Sequence, residues 1–316
     1  MKQKTGLIID ECFQKHRTGP GHPERPERLV AISRGLAESG LGAACVRLPI
    51  RIASQEQILG VHSSEYVARL RNACETGAQY IDSHDSAICP DSFEAALMAA
   101  GSILEAVDQV CAGHIQNAFC AVRPPGHHCE RSESMGFCLL GNAAIAARHL
   151  LDHHCLQRVA IVDWDVHHGN GSQHIFEDSS EVLVCNLHGH PEYVYPGTGF
   201  ENEQGKGDGK GATLNVPLMP GSGDDDYRRA FDAKILPILE DFKPEFVIIS
   251  AGFDAHARDP LAPLELQSES FGWMTQRLLE VAADHSGNRL VSVLEGGYDL
   301  QALSESVCHH VRALQS

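Results

Sequence analysis

Short apolar, β-branched runs alternate with longer amphipathic stretches along most of the 316-residue chain. Runs of this kind form buried strands, and the stretches between them carry apolar residues at helical spacing. The predicted strands cover residues 6–9, 118–122, 159–163, 182–187, 212–216, 246–250 and 290–294. The predicted helices cover residues 28–38, 66–74, 92–110, 143–152, 227–242, 272–283 and 302–314. This alternation predicts an α/β fold with a mostly parallel central sheet flanked by helices on both faces.

The composition supports one folded domain. The chain is 43% hydrophobic and 21% charged, which excludes a disordered protein and allows a large core. No repeat, low-complexity tract or linker divides it, so a single domain spanning residues 1–316 is expected.

Charge and cysteine usage narrow the class of protein. The net charge of -17 argues against direct binding to nucleic acid and fits a cationic partner such as a lysine-bearing peptide or a polyamine. The 11 cysteines include no C-x-x-C pair, which favours reduced thiols. Because no apolar run is long enough for a signal peptide or a membrane span, a cytoplasmic protein is expected.

Polar residues gather where the predicted strands end. Asp163, Asp165 and His167 alternate at the carboxyl end of the strand predicted at 159–163. Side chains two positions apart on a strand point the same way, and ligands of open α/β sheets bind at this end of the strands. Asp254 follows the strand predicted at 246–250 and offers a further acid at the same edge.

These acids and the histidine predict a metal site. A calcium loop fits poorly, since His168 and His174 stand where such a loop needs Gly and Glu. A mixed carboxylate and imidazole set suits zinc, and Asp165, His167 and Asp254 would leave one position open, as in catalytic zinc sites. The alternative is that the acids are solvated loop residues.

A histidine pair offers acid–base chemistry. His127 and His128 follow a stiff Pro-Pro-Gly turn, and Asp163 and Asn170 in the neighbouring motif are candidates to orient them. One of the two histidines could take a proton from an attacking water and return it to a leaving amine. Both could instead be ordinary structural histidines.

Aromatic residues occur in the same set of loops. In Glu295-Gly-Gly-Tyr298, the tyrosine hydroxyl could donate to a developing oxyanion, or the segment could be only a flexible turn. Phe137 and Tyr195 could flank a narrow apolar channel, or could be packed in the core.

Together these motifs resemble the zinc-dependent histone deacetylase family, within the arginase/deacetylase fold, over nearly the whole chain. The matching blocks cover residues 22–28, 123–128, 136–138, 163–171, 250–254 and 295–298, in that order. The resemblance implies an amidohydrolase that removes acetyl or longer acyl groups from the ε-amine of lysine, or from a related amine.

The resemblance also implies a role for each motif residue. Asp165, His167 and Asp254 match the zinc ligands of the family. His128 matches the general base and acid, and Tyr298 matches the donor that polarises the acyl carbonyl.

Further residues are matched around these groups. His127 matches the electrostatic companion of His128 and pairs with Asp163. Asn170 matches the residue that orients His128, and Arg28 matches an arginine behind the active site.

The remaining matches concern the substrate tunnel and a potassium ion. Phe137 and Tyr195 match the tunnel walls, and Gly136 matches the carbonyl acceptor for the lysine amide. The predicted tunnel residues are Gly136, Phe137, Tyr195, Gly297 and Leu261. The predicted potassium site uses the backbone carbonyls of Asp163, Asp165, His167 and Leu187, with Asn186 where the family often has Ser.

Details of the motifs indicate a class II-like, bacterial member. Asn170 is similar to class II, whereas class I carries Asp there, and Leu261 stands where the eukaryotic polyamine-specific branch carries a gatekeeping Glu. Ser86 matches a contact to the substrate backbone.

Three functions remain open from the sequence. The leading one is a deacylase of acyl-lysine proteins or peptides. The first alternative is an amidohydrolase of acetylpolyamines or other small N-acyl amines. The remote alternative is a non-catalytic binder of acyl-lysine. A homo-oligomer is compatible with each.

Overall fold

The computed structural model describes residues 4–316, so the first three residues of the predicted 1–316 domain lie outside it. Its strands are β1 (Thr5–Ile8), β2 (Val46–Arg47), β3 (Tyr80–Ile81), β4 (Ser83–Ala87), β5 (Asn117–Cys120), β6 (Val159–Asp163), β7 (Val182–Gly189), β8 (Thr213–Leu218), β9 (Phe246–Ala251) and β10 (Leu290–Leu294). Eight of these described strands form one sheet in the order β2-β1-β5-β10-β9-β6-β7-β8, and every neighbouring pair in it is parallel. The predicted α/β fold is confirmed, and the sheet is parallel throughout.

Helices cover both faces of this sheet. They are α1 (Glu27–Glu38), α2 (Leu41–Ala44), α3 (Gln55–Leu59), α4 (Ser64–Glu75), α5 (Ser92–Cys111), α6 (Asn142–Asp152), α7 (Asn170–Phe176), α8 (Asp224–Ala230), α9 (Leu236–Phe242), α10 (Ser268–His285) and α11 (Leu300–Leu314). α1, α10 and α11 pack together, and α5 and α6 form a second packed group. Among the described residues, no helix is both long enough and apolar enough to cross a membrane.

The strands buried at the centre are the ones with continuous apolar runs. Every residue of β6, β9 and β10 is buried, because helices cover both faces of the sheet there. This is why their sequences show no alternation of apolar and polar positions.

Several elements depart from the predictions. The two-residue β2 and the β3–β4 hairpin were not predicted, since β2 is too short and exposed, and β4 reads Ser-His-Asp-Ser-Ala without an apolar pattern. Residues 227–242, predicted as one helix, run through a π-helical turn at Phe231–Ile235 between α8 and α9. A continuous apolar stripe in the sequence does not distinguish α-helical from π-helical hydrogen bonding.

The strand order brings distant loops together. β5, β10, β9 and β6 are consecutive neighbours in the sheet, although they are far apart in the chain. Because they are parallel, the loops that follow them emerge at the same edge, the carboxyl edge of the sheet. Residues 123–128, 295–298, 252–254 and 164–168 therefore share one region of the molecule.

Candidate active site

Three side chains at the carboxyl edge converge on one point. Asp165 and His167 follow β6, and Asp254 follows β9 in the adjacent position. His167 Nδ1 lies 3.0 Å from Asp165 Oδ1 and 3.2 Å from Asp254 Oδ2. The three side chains are 11%, 1% and 0% exposed, in the order His167, Asp165, Asp254. The structure thus places together the three residues predicted as metal ligands.

The donor set fits a metal ion. Asp254 Oδ2 is buried and has no hydrogen-bond partner among the described residues, whereas Asp254 Oδ1 accepts from the backbone N–H of Val166 at 2.9 Å. One oxygen is thus anchored and the other faces His167. Ligand atoms in a tetrahedral zinc site lie roughly 3–3.5 Å apart, which follows from metal–ligand distances of about 2.0–2.2 Å. The observed separations are of this size, and two carboxylates and one imidazole leave a position open.

Two glycines allow the backbone to approach these ligands. A Cβ on Gly252 would collide with the Asp165 side chain, and a Cβ on Gly296 would collide with Asp254 Oδ2. The Gly296 N–H also donates to Asp165 Oδ2 at 2.8 Å, which fixes that carboxylate. Glycine is required at both positions because of close approach.

Asp163 is hydrogen-bonded to His127 and is not part of the candidate ligand group. The Nδ1–H of His127 donates to Asp163 Oδ2 at 2.9 Å, and Asp163 Oδ1 accepts from the Asp165 N–H at 3.0 Å. Burial opposes a charge on His127, but the carboxylates of Asp165 and Asp163 raise the pKa of His127 to about 10. The neighbouring carboxylates thus favour a proton on His127.

His128 has a different partner and different electrostatics. Its Nδ1 lies 2.7 Å from Asn170 Oδ1, and Asn170 Nδ2 donates to Glu130 Oε1 at 2.6 Å, which sets the orientation of the amide. Since an amide oxygen only accepts, Nδ1 of His128 carries the proton and Nε2 is free to act as a base. Burial, together with the charges of His127 and His167, lowers the pKa of His128 well below its usual range.

Tyr298 is held beside the ligands by two charged residues. The guanidinium of Arg28 lies 5.0 Å from the centre of its ring, and Arg28 Nε donates to the carbonyl of Gly297 at 2.7 Å. The backbone N–H of Tyr298 donates to Asp259 Oδ2 at 2.7 Å. Burial and the nearby Asp254 carboxylate raise the pKa of Tyr298 well above its usual range, so its hydroxyl stays protonated and can donate.

A cavity of about 260 Å³ opens above these groups. It is lined by Asp85, His128, Gly136, Phe137, His167, Tyr195, Leu261 and Tyr298. Tyr195 and Leu261 are 41% and 40% exposed, whereas Tyr298 is 9% exposed, so the first two lie at the mouth and Tyr298 lies deeper. Aromatic and imidazole rings therefore make up most of the cavity wall, and Tyr298 lies deeper than Tyr195 and Leu261.

The cavity wall includes a strained residue. Phe137 has a φ of 70°, in the left-handed region that residues with a Cβ rarely adopt. Its ring packs edge-on against Tyr298 with ring centres 5.9 Å apart, and against His22 at 4.7 Å. Strain of this kind is retained where the surroundings hold a side chain at a functional site.

Not every predicted tunnel residue lines the cavity. Gly297 is not among the lining residues, since its carbonyl faces Arg28. Ser86 is fully buried, and its hydroxyl donates to Asp85 Oδ1 at 3.1 Å. Asp85, rather than Ser86, is exposed to the cavity, because β4 presents alternate residues to opposite sides.

Sequence reasoning gave no separate role to the buried acids that support the site. Glu295 Oε2 accepts from the N–H groups of Gly126 at 2.7 Å and His127 at 3.1 Å, which positions the histidine pair. Glu24 pairs with Arg28 at 3.0 Å and with Arg123 at 2.6 Å, all with fully buried side chains. Glu24, Arg123 and Glu295 all lie inside the motif blocks that carry the family resemblance. Their position in those blocks was the sequence signal that could have identified them.

The residues predicted for a potassium ion lie beside this site. Asn186 and Asp163 are register partners on β7 and β6, and Leu187 follows Asn186. Asn186 Nδ2 donates to Asn215 Oδ1 at 3.0 Å, while the buried Asn186 Oδ1 has no partner among the described residues. An unpartnered buried oxygen is compatible with a cation there.

Comparisons with known proteins identify a family for this chain. Residues 22–314 match the family described as histone deacetylase domain. The chain is 39% identical over 318 residues to the histone deacetylase-like amidohydrolase of Pseudomonas aeruginosa, covering 94% of this chain and 82% of that protein. It is 42% identical over 300 residues to the human polyamine deacetylase HDAC10, covering 92% of this chain and 44% of that protein.

A solved structure shows the same architecture. The crystal structure of the HDA15 HD domain superposes with a TM-score of 0.94 and 38% identity, covering 99% of this chain and 90% of that one. The match of the family over most of the chain, together with the converging candidate ligands and the histidine pair, leads to one conclusion: the chain belongs to the histone deacetylase family and is a hydrolase that acts on amide bonds.

Proposed function

We propose that the protein removes acetyl or longer acyl groups from the ε-amine of lysine in proteins or peptides, using one zinc ion held by Asp165, His167 and Asp254. The observation that carries the proposal is the cavity of about 260 Å³, with Phe137 and Tyr195 in its wall and the candidate ligand His167 among its lining residues. An unbranched aliphatic chain fits such a channel, and its terminal amide would reach the polar groups at depth.

His128 acts as the general base and the general acid. It lines the cavity, its Nδ1–H is held by Asn170, and burial lowers its pKa, so a neutral imidazole with a free Nε2 faces the substrate. His128 takes a proton from the attacking water and later delivers it to the leaving amine. His127 is not among the cavity-lining residues and, paired with Asp163, acts as an electrostatic companion.

Tyr298 stabilises the acyl oxygen. Its protonated hydroxyl donates a hydrogen bond to that oxygen as negative charge develops on it. Arg28 and Asp259 hold the tyrosine in place from two sides. Zinc, when bound, would supply a Lewis acid that polarises the acyl carbonyl and lowers the pKa of the attacking water.

A potassium ion is proposed for the neighbouring site. The oxygens would come from the backbone carbonyls of Asp163, Asp165, His167 and Leu187, with Asn186 Oδ1 as the side-chain ligand. The missing partner of Asn186 Oδ1 supports this assignment.

Acetylpolyamines are the second candidate substrates. The likeness to a polyamine deacetylase favours them, and Asp85 places a carboxylate in the cavity wall, where a polyamine ammonium group could bind. Against them, the partly exposed Leu261 supplies no charge at the mouth. Asp85 can equally accept an N–H group of a peptide backbone, so the lysine reading remains the leading one.

The decisive experiment compares three substrate types with the zinc-loaded protein. Acetyl-lysine peptides, longer acyl-lysine peptides and acetylated polyamines are offered at matched concentrations, and kcat/KM is measured for each. The proposal predicts that a lysine peptide has the highest value. A higher value for the polyamines would assign the second function, and no turnover of any substrate would refute both.

Tyr298→Phe is the matched inactive variant. Loss of the single donor is expected to reduce kcat about 10²–10³-fold while zinc content stays unchanged, since the hydroxyl is not a ligand. Tyr193→Phe, at an exposed tyrosine outside the cavity, is the control and should keep full activity. Full activity of Tyr298→Phe would remove Tyr298 from its proposed role.

A further inference from the structure

A second group of metal-ligating side chains lies outside the active site. Asp108 is near the end of α5, His149 is in the last turn of α6, and His154 is just beyond α6. Both helix ends lead into strands that start at residues 117 and 159, so the group lies at the amino edge of the sheet, opposite the cavity. The sequence motifs and the proposed mechanism leave these residues without a role.

The two imidazoles converge on a single carboxylate oxygen. His149 Nε2 and His154 Nε2 lie 2.7 Å and 2.8 Å from Asp108 Oδ1. The three atoms all lie within 4.8 Å of one another, as they do in the candidate zinc site. Side chains from α5, from α6 and from the turn after α6 thus direct two nitrogens and one oxygen to one place.

The surroundings keep the carboxylate in position and leave the site negative. Arg51 Nη1 binds the other oxygen, Asp108 Oδ2, at 2.6 Å, so Oδ1 is left for the histidines. Glu105 lies 3.6 Å from the same guanidinium nitrogen. Arg51, Asp108 and Glu105 together carry a net charge of minus one, which favours a cation.

The hydrogen bonds of this group are incomplete. His149 is 7% exposed, and its Nδ1 is buried without a partner among the described residues. If a metal binds Nε2, the proton moves to Nδ1, so binding by a neutral histidine needs no net release of a proton. His154 and Asp108 are 26% and 32% exposed, which gives an ion access from solvent.

From this geometry we infer that Asp108, His149 and His154 form a second binding site for a divalent transition metal such as Zn²⁺ or Co²⁺. Two imidazoles and one carboxylate are a donor set that such ions prefer, and water would complete the coordination. Because the ligands join the ends of α5 and α6, bound metal connects these two helices. Since the site lies at the opposite edge, it stabilises the fold without contributing to the hydrolytic reaction.

The test counts metal ions in the full-length protein. Chelator-treated protein is dialysed against Zn²⁺ or Co²⁺. The amount of bound metal per chain is then measured by inductively coupled plasma mass spectrometry. Two equivalents are expected for the unmodified protein and one for His154→Ala, whose second site should weaken at least about 10–100-fold. Asp254→Ala should also retain one equivalent, and the combined variant should retain none.

The controls separate this site from other causes. His114→Ala removes an exposed histidine near the end of α5, outside the group, and should still bind two equivalents. Asp108→Asn is a second loss variant that keeps the side-chain size, and near-ultraviolet circular dichroism checks that each variant is folded. Metal should raise the unfolding temperature of Asp254→Ala and leave that of the combined variant unchanged.

Two results would overturn the inference. One is a single equivalent bound by the unmodified protein that folded His154→Ala retains, and the other is two equivalents bound by folded His154→Ala. Neither result depends on turnover of any acylated substrate, so the outcome is independent of the proposed deacylase function.

Discussion

At the scale of single residues, two acids two positions apart have separate tasks. Asp165 and Asp163 lie at the same strand end, and both are about 1% exposed. Asp165 Oδ1 lies beside His167 Nδ1, whereas Asp163 Oδ2 accepts from His127. The Asp165 carboxylate is therefore available to a metal ion. The Asp163 carboxylate instead orients the ring of His127 by accepting its Nδ1–H.

This division predicts different defects for two substitutions. Asp165→Ala should lose the catalytic metal, because one of the three proposed ligands is gone. Asp163→Asn should keep the metal and lower kcat on the order of 10²–10⁴-fold, with KM little changed, because the companion of the general base loses its charge partner. Metal content and steady-state kinetics measure both effects.

A surface acid provides the comparison. Asp241→Ala changes an exposed residue of α9 and should alter neither metal content nor kcat. If Asp163→Asn lost the metal as completely as Asp165→Ala, the two acids would not have separate tasks.

At the scale of elements, α5 depends on a glycine in its middle. Gly101 faces the segment 51–53, and a Cβ there would overlap the backbone nitrogen of Ala53 and the carbonyl oxygen of Arg51. The Ala53 N–H donates to the carbonyl of Leu97 at 3.0 Å, and the Arg51 N–H donates to Ser102 Oγ at 3.2 Å. The segment is thus bonded to the helix on both sides of Gly101 and cannot move away cheaply.

Gly101→Ala is therefore expected to destabilise the protein by about 1–3 kcal/mol or more, even though alanine is the better helix former. Denaturant unfolding measures the change in the free energy of unfolding. Gly42→Ala is the matched control, since a Cβ at that helical glycine comes no closer than 3.4 Å to its neighbours and should be neutral or stabilising. Equal stabilities for the two variants would contradict the packing argument.

At the scale of the whole molecule, buried neutral histidines make the fold sensitive to acid. His310 on α11 is fully buried among the rings of Phe119, Trp164 and Phe253, with ring centres 5.2–5.9 Å away. Its Nδ1 lies 2.6 Å from Thr275 Oγ1. Burial in this apolar environment lowers the pKa of His310 to about 3.

A histidine whose pKa is lowered by folding makes the folded protein less stable as the pH decreases. Between pH 6.5 and about 3 the unfolded chain binds a proton at His310 that the folded protein does not, so stability falls as the pH decreases through this range. The loss is on the order of 1.4 kcal/mol per pH unit for one such group. Burial acts in the same direction on His62 and His188, whose pKa values are lowered to about 4 and about 3.

The free energy of unfolding is accordingly expected to decrease more steeply with acid in the unmodified protein than in His310→Gln. Denaturant titrations at pH 7, 6, 5 and 4 measure the two slopes under the same metal conditions. His114→Gln, at an exposed position, is the control substitution. Parallel slopes for the unmodified protein and His310→Gln would show that His310 takes up no extra proton on unfolding.

Much of the site could be predicted from local pattern. Asp165, His167 and Asp254 follow buried strands directly, and the rule that parallel strands bind ligands at their carboxyl ends is enough to expect them together. The short β2 and the polar β4 were missed, because neither has an apolar period that separates it from a loop. Asp85 at the cavity wall was missed with β4.

By itself, the sequence determined the α/β class, the candidate metal-ligand residues and the histidine pair, since each depends on a strand and the few residues that follow it. Only the tertiary structure decided that β5, β10, β9 and β6 are neighbours, because strand order is set by packing between segments far apart in the chain. The same long-range packing decided that Asp85 faces the cavity and that Asp108 meets His149 and His154 at the opposite edge. No periodicity in the chain encodes those contacts.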